Sequence, residues 1–121
     1  MVTGVHFIEI KRIKESMENP KFLSRLFSPQ ELKFLMGRHF SPAAVAESYC
    51  AKCAFIKAMG VGYRTCRMNE ISVLSDYMGS PYISVSGNTK MKFAAKKCHM
   101  TVSVSHTRMF ATASVTFFQN T

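Results

Sequence analysis

The stretch SPAAVAESYCAKCAFIKAMG, Ser41 to Gly60, reads as one complete helix with both ends marked. The Ser41 hydroxyl caps the first turn, and Pro42 fits the first helical position, where a backbone N–H would have no partner anyway. Gly60 is a fitting C-terminal stop. Phe40 before the cap faces Val45 across it, as in a hydrophobic staple. At about 100° per residue, Val45, Tyr49, Phe55, Ile56 and Met59 share one broad apolar face. Cys50, Cys53 and Lys57 fall together on its flank. This is the longest element the chain offers, and the remaining elements are expected to pack on it.

Working outward, FSPQEL repeats the device: Ser28 as cap, Pro29 at the first position, and Glu31 as partner in a capping box, with Phe27 and Leu32 as the staple. That helix is short and should end near Gly37. Further upstream, TGVHFIEI alternates like a strand, and Ile10, Ile13 and Met17 then recur at helical spacing until Asn19-Pro20 ends the segment. Downstream the pattern changes. NEISVLSDYMGSPYISVSG reads as a hairpin turning at Gly79 and Pro81, and NTKMKFAAKK as a short basic helix. MTVSVSHTRMFATASVTFF reads as two alternating strands joined near His106, Thr107 and Arg108. Helices in the first half and hairpins in the second predict an α+β fold. With 121 residues, one domain over 1–121 is expected.

No apolar run is long enough to cross a bilayer, and MVTGVHFIEI lacks the basic leader of a signal peptide, so neither a membrane nor export is expected. Cysteines 50, 53, 66 and 98 have no secreted-framework spacing and read as reduced thiols of a cytoplasmic protein. Sixteen bases against seven acids give a formal charge of +9, which favours an acidic partner. Nucleic acid is the default for such an excess, but the aromatics do not interleave with the bases as a stacking platform requires, so it is not the expected partner.

Cys50-x-x-Cys53 suggests zinc or redox chemistry at first sight. A structural zinc site needs four ligands, however, and a redox pair belongs at a helix N-terminus, whereas these thiols lie mid-helix. Small residues packing at the edge of the core is the plainer reading. Histidines 6, 39, 99 and 106 show no paired spacing. His6 on the first strand and His106 at a turn are the two placed to line a site.

Five stretches, in order and in register over nearly the whole chain, resemble the bacterial holo-[acyl-carrier-protein] synthase family of small 4'-phosphopantetheinyl transferases. They are GVHFIEIKRI from Gly4, LFSPQEL from Leu26, YCAKCAFIKAMG from Tyr49, DYMGSPY from Asp76 and VSVSHT from Val102. The resemblance implies the 4'-phosphopantetheinyl transferase-like fold, with an antiparallel sheet packed on a long central helix, a homotrimer, and a coenzyme A site between subunits. It implies transfer of 4'-phosphopantetheine from coenzyme A to a serine of an acyl carrier protein. By position, it puts Lys57 in a catalytic role at the coenzyme A phosphates and Ser105, His106 and Thr107 at the same ligand. Arg12, with Lys11, Lys14 and Arg25, would face the acidic carrier protein.

The family holds Mg²⁺ with a strand aspartate and a helix glutamate, and those positions are His6 and Cys53 here. Imidazole and thiolate suit Zn²⁺ or Fe²⁺ better than Mg²⁺, and Zn²⁺ or Mn²⁺ is a possible occupant. Ser48 stands where the family commonly has arginine, and Thr101 where a histidine or aromatic is common. Glu9 keeps its motif place as a catalytic candidate, although on a regular strand it points to the face opposite His6. Three readings are open: a transferase working through an altered site, a catalytically inactive relative that binds coenzyme A or carrier protein, and, least favoured, a basic nucleic-acid binder on a borrowed fold.

Overall fold

In the computed structural model, which describes residues 1–60 and 66–119, the chain opens with β1 (Val2–Glu9), α1 (Ile10–Ser16), α2 (Pro20–Leu26), α3 (Pro29–Gly37) and α4 (Pro42–Met59). A 3-10 turn at Met68–Glu70 leads to β2 (Ile71–Ser75), β3 (Pro81–Val85), α5 (Gly87–Ala95), β4 (His99–His106) and β5 (Phe110–Phe118). The α+β reading holds, and so does the expected order of strands and helices, with one addition.

That addition is α2. Asn19-Pro20 was expected to end the first helical segment, and α1 does stop ahead of it at Ser16; the same pair also starts a second helix. The Asn19 side chain accepts from the Lys21 N–H at 2.9 Å, and Pro20 sits at the first position. Ser28 and Ser41 do the same for α3 and α4, accepting from Glu31 and Ala44 N–H at 3.1 Å each. Asn-Pro ends one helix and begins the next because a capping side chain and a proline ring both suit a helix start.

The strands β1, β5 and β4 form an antiparallel sheet in that order, and β2 and β3 form a separate hairpin. In the three-stranded sheet, His6 lies opposite Ala113 and His106 opposite Ala111. Alternation turns Gly4, His6, Ile8, Ala113 and Val115 towards α4. Thr3, Val5, Phe7, Ser103 and Ser105 face outward and are exposed. Gly4 allows the closest approach: a Cβ there would stand 2.0 Å from the Ala54 carbonyl oxygen and 2.8 Å from the Ala58 nitrogen of α4. Only a glycine lets strand and helix backbones come so near.

Because the sheet comes so close, α4 is buried nearly all round rather than on one face. Val45, Ala46, Cys50, Ala51, Ala54, Phe55 and Ala58 lie in the core, and Ser48 and Lys52 with them. Cys50 is therefore not a flank residue beside Cys53 and Lys57. It lies under β5 and donates to the Ala111 carbonyl at 3.6 Å. Burial, with smaller contributions from Cys53 and Glu47, pushes its thiol up to about 12, so it packs as a small neutral side chain.

A buried ion pair ties the helices to the hairpin. Lys52 pairs with Glu31 and also donates to the carbonyls of Met68, at 2.7 Å, and Ile71. Glu31 in turn accepts from the backbone N–H groups of Ser28, at 3.0 Å, and Val73, at 2.9 Å. Its capping-box role and its core role are carried by the same carboxylate. Burial raises the Glu31 pKa and lowers that of Lys52, and each charge pulls its partner back towards the ionised form. The three ammonium donors are all matched, so the charged pair is the form this geometry supports.

Candidate functional site

Lys57 leaves the last turn of α4 and reaches across to β1. Its Nζ donates to the Val5 carbonyl at 2.9 Å and meets His6 Nδ1 at 3.0 Å. An ammonium only donates, so Nδ1 accepts here and the neutral ring carries its proton on Nε2. Burial, then the nearby Lys57 charge, lowers the His6 pKa from 6.5, and the ring is neutral at physiological pH. Tyr49 stands edge-on to it at 5.9 Å. The ring is also one wall of a cavity of about 640 Å³ that Arg12, Glu15, Ser16, Phe22 and Tyr49 help to line.

Cys53, half-buried on the same side of α4, has its thiol pKa raised by burial; a hydrogen bond with Tyr49 and the charges of Lys57 and Lys52 offset this only in part. His6 and Cys53 thus occupy the positions where the resemblance places metal ligands, one with Nδ1 engaged by an ammonium and the other a neutral thiol. Neither is a hard oxygen donor, so the pair does not fit Mg²⁺. The expectation of Zn²⁺ or Mn²⁺ meets a different obstacle. Among the described residues no three His, Cys, Asp or Glu side chains come together to hold a metal ion, and a catalytic zinc site needs three protein ligands.

Glu9 lies on the opposite face of β1 from His6, as strand alternation predicts. It borders a second cavity with Lys11, Lys14, Glu15, Glu18 and Arg108, away from Lys57. The structure does not bring it to the Lys57–His6 pair. The basic residues divide in the same way. Arg12 borders the His6 cavity, Lys11 and Lys14 border that of Glu9, and Arg25 on α2 borders a third with Lys21 and Phe22. All four are exposed.

The His106 turn lies at the other end of α4. His106 Nδ1 meets the Glu47 carboxylate at 2.9 Å, a pairing with no signal in the sequence, since only the fold register carries the end of β4 over the first turns of α4. Thr107 shapes the turn itself. Its Oγ1 accepts from Met109 N–H at 3.3 Å and Phe110 N–H at 3.1 Å. Ser105 is exposed on the outer face of β4. From Glu47 to Lys57 is ten residues of helix, about 15 Å at 1.5 Å per residue. Within one copy, then, the two halves expected to share a ligand stand at opposite ends of α4.

Comparison with known proteins points one way. Residues 4–112 match the 4'-phosphopantetheinyl transferase superfamily. A holo-[acyl-carrier-protein] synthase of Clostridium tetani is 35% identical over 107 residues, covering 87% of this chain and 85% of its own. Among solved structures, an ACPS–CoA complex from Chronobacterium ammoniagenes is 25% identical with a TM-score of 0.86, covering 99% of this chain and 98% of its own. A holo-(acyl-carrier-protein) synthase from Bacillus anthracis str. Ames, in complex with CoA (3',5'-ADP), is 27% identical with a TM-score of 0.81, covering 98% and 96%. No helix among the described residues is long and apolar enough to cross a membrane.

Proposed function

Because the chain belongs to the holo-[acyl-carrier-protein] synthase family of 4'-phosphopantetheinyl transferases, we propose that it moves 4'-phosphopantetheine from coenzyme A to a serine of an acidic carrier protein. The serine oxygen forms a bond to the phosphorus that bears the pantetheine arm. The bond from that phosphorus to the adenosine 3',5'-bisphosphate oxygen breaks, its electron pair leaves with that group, and the serine proton passes to solvent. The observation that carries the reading is the Lys57 ammonium, fixed between α4 and β1 by Val5 and His6 with no carboxylate paired to it among the described residues. An uncompensated cation held in place is what a phosphate needs.

Coenzyme A is the expected ligand of Lys57, with Ser105, His106 and Thr107 meeting it from a neighbouring copy. The 15 Å between the two ends of α4 favours such completion by a second subunit, in keeping with the homotrimer expected for the family. Arg12 and Arg25, and Lys11 and Lys14 on the other flank, offer an acidic carrier protein a basic surface in a cytoplasmic setting. Glu9 contributes there or to positioning rather than at the reacting phosphate.

One observation favours a second reading, in which the chain binds coenzyme A or carrier protein without turning it over: both carboxylate positions are altered, to His6 and Cys53. Mass spectrometry separates the two. An apo carrier protein is incubated with this protein and coenzyme A under chelation and with Mg²⁺, Mn²⁺ or Zn²⁺. A phosphopantetheine adduct in any arm is the expected result. Its absence in all arms, from folded protein that still binds coenzyme A, leaves the binding reading.

A further inference from the structure

On the transferase reading, we propose that Lys57 and His6 together bind the diphosphate of coenzyme A without a divalent cation, Lys57 through its ammonium and His6 through its Nε2–H. The two side chains form a preassembled pair of donors. Lys57 has three N–H groups, of which Val5 and His6 take two, so one remains for a phosphate oxygen. The same contact fixes the histidine's part. With Nδ1 accepting from the ammonium, the ring hydrogen is on Nε2, and that edge of the imidazole is a donor rather than an acceptor. The ring borders the 640 Å³ cavity, where Arg12 adds a third donor, the second that is cationic, and Glu15 is the acidic lining residue.

Charge makes the same point from the other side. A divalent ion drawn to His6 finds Nδ1 already taken by the Lys57 ammonium at 3.0 Å and Nε2 carrying the ring proton, so the neutral ring offers it no lone pair. Nor does a carboxylate offset the pair: the partners of Lys57 among the described residues are a carbonyl and a neutral ring. An anion entering there gains two or three charge-assisted or directed hydrogen bonds, the service that a metal gives elsewhere in phosphoryl chemistry. The substitution of both carboxylates is then a coherent exchange, with fixed N–H donors in place of a bound cation, and not only the loss of a site.

Calorimetric titration of the intact protein with coenzyme A tests this, run with EDTA and then with excess Mg²⁺, Mn²⁺ or Zn²⁺. Affinity in EDTA should lie within about threefold of that with any of the ions. Lys57→Met should weaken binding by about tenfold or more in EDTA. His6→Phe, which removes the donor, should weaken it by severalfold, and His6→Gln, which restores an N–H at the same reach, should recover most of the loss. The ¹⁵N shifts of the His6 ring should report a bare Nδ1 and a protonated Nε2 before and after ligand. Binding that tightens tenfold or more on adding a divalent ion overturns the cation-free pair and leaves the transferase reading standing. The opposite tautomer, or His6→Phe and His6→Gln behaving alike, overturns it as well. Absence of binding to folded protein in every arm overturns both readings together.

Discussion

Lys52 and Lys57 leave the same helix five residues apart and meet opposite fates. Lys52 is fully buried, faces the Phe27 ring at 5.0 Å, and has each of its donors matched by Glu31, Met68 or Ile71. Lys57 is exposed, anchored by a carbonyl and an imidazole, and has no counter-charge among the described residues. One lysine has been neutralised into the framework and the other left charged but immobilised. A cation with a matched carboxylate holds a structure together, whereas a cation held still without one is ready for an anion from outside.

The contrast is broken most severely by removing Glu31. Glu31→Ala leaves the Lys52 ammonium buried without its carboxylate and should cost about 3–5 kcal/mol of stability, read from the urea midpoint. Glu31→Leu with Lys52→Met should recover most of that loss, because an apolar pair of similar volume needs no compensation. Lys57→Ala should barely move the same midpoint, yet weaken coenzyme A about tenfold, or by about 1.4 kcal/mol, in calorimetry. Equal destabilisation by both substitutions would erase the distinction.

A finer test gives the exposed lysine's surroundings the carboxylates that its buried neighbour has. His6→Asp with Cys53→Glu should raise Mg²⁺-dependent transfer severalfold over the unaltered protein in the mass-spectrometric assay. No gain, with coenzyme A binding intact, would mean that the carboxylates are not what limits turnover. The smallest effect is electrostatic. Lys57→Met should raise the His6 midpoint, followed by NMR, towards 6.5 without reaching it, since burial remains the larger cause. The sign for stability comes from the lowered value. Below about 6.5 the unfolded chain binds a proton that the folded His6 resists, so stability falls as pH drops from 6.5 towards the folded midpoint. Lys57→Met should make that fall shallower.

The elements most legible in the sequence were those whose ends carry a chemical mark. Ser28-Pro29 and Ser41-Pro42 announced α3 and α4, and Gly79 with Pro81 announced the hairpin turn. Asn19-Pro20 carried the same mark for α2, but a proline after one helical run also reads as its stop, and only the downstream residues separate the two meanings. The site was half legible. His6, Cys53 and Lys57 stood out by their places in a motif, and the structure brings them to one side of α4. Lys52 did not stand out, because a lysine on a helix normally marks a solvated face. Its neighbours Ala51, Cys53 and Ala54 were the available hint, since a helix with small residues all round is one packed on all sides. The pairing of Glu47 with His106 joins residues 59 positions apart and depends on sheet register, which local pattern does not encode.

The pairing of β1 with β5 bears on how the protein comes into being. β1 leaves the ribosome about a hundred residues before its partner, Phe110–Phe118, is made. At roughly 5–20 residues per second of synthesis, β1 waits several seconds beside a finished α4 before its hydrogen bonds can form. Val5 and His6, which hold Lys57, wait with it. A fixed Lys57 is thus an attribute of a chain that already includes β5, and one made only as far as α4, however helical, would carry a loose lysine instead.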